Sequence, residues 1–135
     1  MTTTPGAPRP RGRARGDEGQ AAVELALVLP VLAVLALALV QVALVVRDQV
    51  RVTFGAREGA RQAAVSPAAG DVRRAVVASS GLDDGRLDVQ VTGRGAAGSR
   101  VTVRVRYAAA TDLPLVGALL GDVSLEGVAA MRVEG

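Results

Sequence analysis

Cysteine, histidine and tryptophan are all absent from the 135 residues. Without cysteine there is no disulfide framework and no thiol nucleophile. Without histidine there is no His-based triad, and together the two absences exclude a Cys/His metal site. Phe54 and Tyr107 are the only aromatic residues. They leave nothing to stack on bases, and a net charge of +3 is too small to argue for nucleic acid. Lysine, asparagine and isoleucine are missing as well. All three have A/T-rich codons, so a G+C-rich bacterial genome is the simplest cause, and the all-arginine basic set carries no functional message. Half of the residues are hydrophobic although 21% are charged, so the apolar residues must be concentrated in part of the chain.

That part is Ala21–Val46, where Glu24 and Gln41 are the only strongly polar residues. As a helix it reaches about 39 Å at ~1.5 Å per residue, enough to cross a hydrocarbon core of ~30 Å with some tilt. Residues 1–19 before it are rich in Pro, Gly and Arg and read as a basic, disordered leader. Four arginines flank the span on each side: Arg9, Arg11, Arg13 and Arg15 against Arg47, Arg51, Arg57 and Arg61. The positive-inside rule is therefore a tie. The short leader is the natural cytoplasmic side, which makes the C-terminal part extracytoplasmic. Glu24 near the N-terminal end reads either as a snorkelling or protonated interfacial acid or as a charge that seeks a cation when helices assemble. Pro30, inside the span, is expected to kink the helix or loosen the turn before it.

Gly19-Gln20-Ala21-Ala22-Val23-Glu24 followed by an apolar helix resembles a type IV prepilin processing site. With its surroundings from Arg15 to Pro30, and with the later Ala56-Arg57-Glu58-Gly59-Ala60-Arg61-Gln62-Ala63-Ala64 and the ending Ala130-Met131-Arg132-Val133-Glu134, it is similar to the TadE-like family. These are minor pseudopilins of tight-adherence (Flp-type) pilus systems. The resemblance is strongest over Gly16–Ala64. It departs at Leu25, where many members have Phe after the glutamate. It implies cleavage by a prepilin peptidase after Gly19, which makes Gln20 the first mature residue and Glu24 the fifth. It also implies partners: other pseudopilins or the major pilin, an inner-membrane pilus assembly platform, and the lipid bilayer. The new α-amine on Gln20, with a pKa near ~8, could pair with Glu24 of a neighbour and fix an axial register. A competing reading is a secreted or envelope binding module cut by ordinary signal peptidase at Ala36-Leu37-Ala38. A third is an uncut anchor with a stalk domain.

Arg47–Val65 is expected to continue the span as one helix, so that residues 20–66 form a single element. Glu58 and Arg61 can pair along one face. This extension reads either as a solvated amphipathic stalk or as a packing face, with Gly55 and Gly59 spaced for close helix approach. Residues 67–135 read as a small α+β domain. Pro67 stops the helix, Asp71 is a candidate N-cap for a short second helix, and Gly81 can end it. Val72, Ala75, Val76 and Ser79 keep the helical spacing. The period then becomes two: Leu87, Val89 and Val91; Val101, Val103, Val105 and Tyr107; and a looser run through Val123, Leu125, Ala129, Met131 and Val133, with Gly127 a candidate bulge. The loop Gly93–Gly98 joins the first two strands as a hairpin. Its G-x-G-x-x-G spacing holds no phosphate, because no helix N-terminus follows. Asp112–Gly121 is unusually apolar and reads either as a short helix over the sheet or as a contact patch.

No enzyme emerges from these residues. Ser79, Ser80, Asp83 and Asp84 form a polar cluster without a base to activate either serine. Asp83-Asp84-Gly85 with Asp88 fits a turn better than a calcium loop. No metal and no cofactor is implied. The expected fold is α+β: a long N-terminal transmembrane helix with a stalk extension, a short helix, and a three-stranded antiparallel sheet.

Overall fold

A run of alanine, leucine and valine without glycine from Gln20 to Thr53 favours one long helix, because each further residue adds a backbone hydrogen bond once a helix is nucleated. The computed structural model describes residue 1, residues 14–110 and residues 121–134, with side chains of the first helix from Gly19 onward. In it α1 runs from Ala14 to Val65 and passes through Pro30 without interruption. The helix starts earlier than the sequence suggests: residues 14–19, expected at the end of the leader, are helical. Elongation from the apolar run explains this, since it continues upstream until a breaker stops it. The arginines at 9, 11 and 13 and the apolar stretch 112–120 lie outside the described residues.

The chain divides into two units, Met1–Ala36 and Leu37–Gly135. In the first, every α1 side chain from Gly19 to Ala36 is exposed, including Leu25, Leu27, Leu29, Val31 and Leu35. So continuous an apolar surface around a helix calls for a non-aqueous surrounding. Among the described residues one helix is long and apolar enough to cross a membrane, a property that a signal sequence shares.

The second unit is built on the rest of α1. Helix α2, Ala69–Ser80, follows a short break at Pro67. A 3-10 turn at Asp84–Arg86 leads into strands β1 (Leu87–Thr92), β2 (Arg100–Ala109) and β3 (Val123–Arg132). They form one antiparallel sheet in the order β1-β2-β3. This is the α+β layout expected, and the alternation reads true: Val101, Val103, Val105, Tyr107 and Ala109 of β2 are buried while Arg100, Arg104 and Arg106 face outward. The loop Gly93–Gly98 joins β1 to β2 as a hairpin, with Gly93 and Gly98 in the left-handed region (φ 76° and 84°).

Two expectations change in detail. Helix α2 begins at Ala69 with Ala68 as its uncapped N-cap, so Asp71 is its third residue and not the cap. Its carboxylate still serves the helix start: Ser66 Oγ donates to it at 2.8 Å and Arg74 pairs with it. Gly81 closes the helix as expected, with φ 62° and its N–H on the Val77 carbonyl. Gly127 is not a bulge. The β2–β3 register runs through Val105↔Gly127 without an extra residue, and the reason for glycine there lies across the core.

The core joins α1, α2 and the sheet. Val52, Ala56, Ala60, Ala63 and Ala64 of α1 meet Val72 and Val76 of α2 and the inward valines of β2, with Leu82, Leu87, Leu125 and Val133 at its margins. With one aromatic residue among them, the volume is filled by close backbone approach instead of large side chains.

Candidate processing and packing sites on the long helix

Gly19, Gln20 and Glu24 all lie on α1 in exposed positions. The i, i+4 spacing puts Gln20 and Glu24 on one side of the helix, and Gln20 Nε2 donates to Glu24 Oε1 at 3.2 Å. A Cβ built on Gly19 meets nothing within 4 Å. The fold of this chain therefore places no steric demand for glycine at that position.

The glycines at 55 and 59 are the opposite case. A Cβ on Gly59 would stand 2.7 Å from Val76 Cγ2 and 3.2 Å from Val103 Cγ1. One on Gly55 would stand 3.2 Å from both Ser80 Cβ and Val76 Cγ1. The extension of α1 is thus a packing face and not a solvated stalk. Its partners are α2 and the sheet of the same chain, which approach because Gly55, Gly59, Ala56, Ala60 and Ala63 present almost no side chain. The remaining residues of the 57–61 segment face away from this contact. Arg61 binds Glu58 through both carboxylate oxygens, with Nε at 3.1 Å from each. That hydrogen bond outweighs the opposing effect of burial and, with the charge of Arg61 adding to it, holds the Glu58 carboxyl below its ordinary range. Arg57 is exposed and lines an open hollow with Gln49, Val50, Thr53 and Phe54.

The contacts of α1 with β3 and with the residues just after it are not among the expectations drawn from the sequence. Gln49 Nε2 donates to the Glu126 carbonyl at 2.9 Å. At Gly127 an added Cβ would lie 2.9 Å from the Val52 carbonyl oxygen. Further along, the Glu134 N–H donates to the Ala64 carbonyl at 3.2 Å. These three contacts make α1 and β3 run side by side in the same direction. The signal that could have found the second was available: Gly127 is the one glycine inside an otherwise alternating strand, a position that marks either a bulge or a close backbone approach.

The polar cluster Ser79, Ser80, Asp83 and Asp84 is occupied locally. Ser79 Oγ donates to the Val76 carbonyl, and Ser80 Oγ accepts from the Leu82 N–H. Asp83 caps the 3-10 turn by accepting from the Gly85 N–H at 3.0 Å, and Asp84 pairs with Arg73 at 2.7 Å. Among the described residues no three His, Cys, Asp or Glu side chains gather to hold a metal ion.

Residues 19–61 match the family model described as TadE-like protein. Over that stretch, about a third of its length, the chain is similar to the TadE-like family. No curated protein and no solved structure matches the chain. The matched stretch begins at Gly19 and ends at Arg61. It thus covers the apolar run, Glu24, Pro30, and the small-residue face that meets α2 as far as Ala60.

Proposed function

We propose that this protein is a minor pseudopilin-like membrane protein that supports assembly of a tight-adherence (Flp-type IV) pilus. In this reading it inserts once in the bacterial cytoplasmic membrane through Ala21–Val46, with its N-terminus cytoplasmic and the α+β unit outside. A prepilin peptidase cuts after Gly19, and the mature chain then engages other pseudopilins or the major pilin on the inner-membrane assembly platform. The observation that carries the reading is the TadE-like match over 19–61, which opens on Gly19 and sets Glu24 five residues on, at the head of the exposed apolar helix.

The chemistry of assembly follows from the same residues. Cleavage removes the basic leader, which weakens the hold of an anionic cytoplasmic face. It also creates an α-amine on Gln20, on the side of α1 that bears Glu24. A carboxylate at the edge of an apolar helix costs least when a cation meets it. In a packed set of such helices, Glu24 of one subunit and the Gln20 amine of the next satisfy each other and favour one axial register. Pro30, lacking an N–H, weakens the helix about three turns beyond Gln20 and lets it bend there as neighbours pack.

Intact mass and N-terminal sequencing of the membrane-extracted protein from its own host test the proposal. A chain beginning at Gln20 is the expected result. A soluble chain beginning at Leu39 would instead show signal-peptidase cleavage and a secreted module. A membrane-bound chain beginning at Met1 or Thr2 would show an uncut anchor.

A further inference from the structure

The outer face of the sheet carries four arginines, and the strand register separates them into two pairs. Arg104 and Arg106 converge on Glu126, at 3.7 and 2.9 Å. Arg100 lies directly opposite Arg132 on the neighbouring strand. Both are exposed, and neither has a carboxylate within ion-pair distance among the described residues.

Strand geometry makes this second pair close. The Val133 N–H donates to the Ser99 carbonyl at 2.8 Å. Odd-numbered residues of β3 therefore face β2 with their backbone groups, and Arg132 occupies a non-hydrogen-bonded position. There opposite Cα atoms approach to about 4.5 Å and side chains are nearest. Like charges placed so are unfavourable for the sheet itself. The small Ala130 is the next outward residue on β3, and Gly98 lies at the end of the loop. Together with Ser99, Arg100, Met131 and Arg132 they line an open depression of about 370 Å³. Two guanidiniums beside a shallow hollow offer forked donors and no acceptor, an arrangement matched to carboxylates.

We propose that the Arg100–Arg132 pair is a docking site for an acidic segment of a partner protein, whose carboxylates neutralise both guanidiniums. Charge complementarity directs the segment to this end of the face, because Glu126 already serves Arg104 and Arg106. Position disfavours lipid headgroups as the occupant. α1 and β3 run in the same direction, so the pair lies near Ala64, whereas the apolar run ends at Val46, toward the other end of the unit. The site does not depend on whether the chain is cut after Gly19.

The test is a titration of the full chain, in neutral detergent micelles, with a fluorescein-labelled hexaglutamate peptide read by anisotropy. Binding is expected to weaken as salt rises. R100Q/R132Q should weaken it by roughly tenfold, about 1.4 kcal/mol, while R57Q/R86Q, which removes equal charge elsewhere, should change it by less than about twofold. Circular dichroism matched to the parent keeps the comparison free of unfolding. Equal losses in both double variants would show diffuse attraction to a basic chain and overturn the proposal. So would displacement of the peptide by inorganic phosphate at matched charge, which would mark a small-anion site. Capture by phosphatidylglycerol vesicles that R100Q/R132Q abolishes would assign the pair to lipid and overturn it too.

Discussion

Gly127 of β3 and Val52 of α1 meet backbone to backbone: a Cβ at 127 would lie 2.9 Å from the Val52 carbonyl oxygen and 3.1 Å from its carbonyl carbon. Real Cβ atoms do not approach that closely, and the obstacle is main chain, which cannot rotate away. Gly127→Ala must therefore push β3 off the helix or distort the helix. A loss of roughly 1–3 kcal/mol of stability is expected, as for other overpacked cores. Denaturant unfolding of the full chain in detergent measures it. Val128→Ala, an exposed neighbour, should stay within about 0.5 kcal/mol of the parent.

The contact of Gly59 with Val76 gives a prediction that changes sign with background. A Cβ at 59 meets Val76 Cγ2 at 2.7 Å, and Val76 is fully buried with a stiff branched side chain. Gly59→Ala should destabilise the parent despite the gain of up to about 1 kcal/mol in helix propensity. Once Val76→Ala has removed the obstructing methyl, the same Gly59→Ala should be neutral or stabilising. The double-mutant cycle reads the coupling directly. Additive losses would mean that the two helices are not held at this distance.

The strands were open to sequence reading because alternation reports burial directly, and Val101–Tyr107 shows it without exception. Gly81 was equally plain, since a glycine after a helical stripe has one common use. The helix extension stayed open between two readings for a physical reason. Apart from Val52, its buried face is made of Gly55, Ala56, Gly59, Ala60, Ala63 and Ala64, residues whose hydrophobicity is too slight to mark a core, while Val50 and Phe54 are exposed. Gly127 misled for a related one: a single strand cannot show that another backbone will pass across it. The processing residues are a different matter. Gly19 and Gln20 acquire meaning only through resemblance, because nothing in the fold of the chain requires them.

Glu126 should titrate low. The hydrogen bond from Arg106 outweighs the opposing effect of burial and, aided by the charges of Arg104 and Arg106, holds its carboxyl below the ordinary value of 4.5. A depressed folded value means that the interaction is complete above about pH 4.5 and fades as pH falls through the lowered value. Both partners are substantially exposed, so the effect on stability is small and screened by salt. A pH titration of the Glu126 carboxyl carbon by NMR should show the depression, and Arg106→Gln should return the midpoint toward the ordinary value. An unchanged midpoint in that variant would remove Arg106 as the main cause.

Gly19→Ala separates a role in folding from a role in recognition. A Cβ there meets nothing within 4 Å, and the residue lies inside α1, where alanine is favoured over glycine by about 1 kcal/mol. If position 19 matters only to the helix, the variant is as stable as the parent or more so, and its N-terminus is the same as the parent's. If a peptidase must bring the scissile peptide into a tight active site, the added methyl blocks cleavage while leaving the α+β unit untouched. The expected outcome is accumulation of the uncut chain in the membrane, seen as the full intact mass, with an unfolding transition indistinguishable from the parent. Gly55→Ala should reverse both readouts: its added Cβ would press at 3.2 Å on Val76 and Ser80 within the second unit, so stability falls while the N-terminus forms normally. Loss of processing in the Gly55 variant as well would mean that cleavage depends on general folding, and Gly19 would lose its special standing.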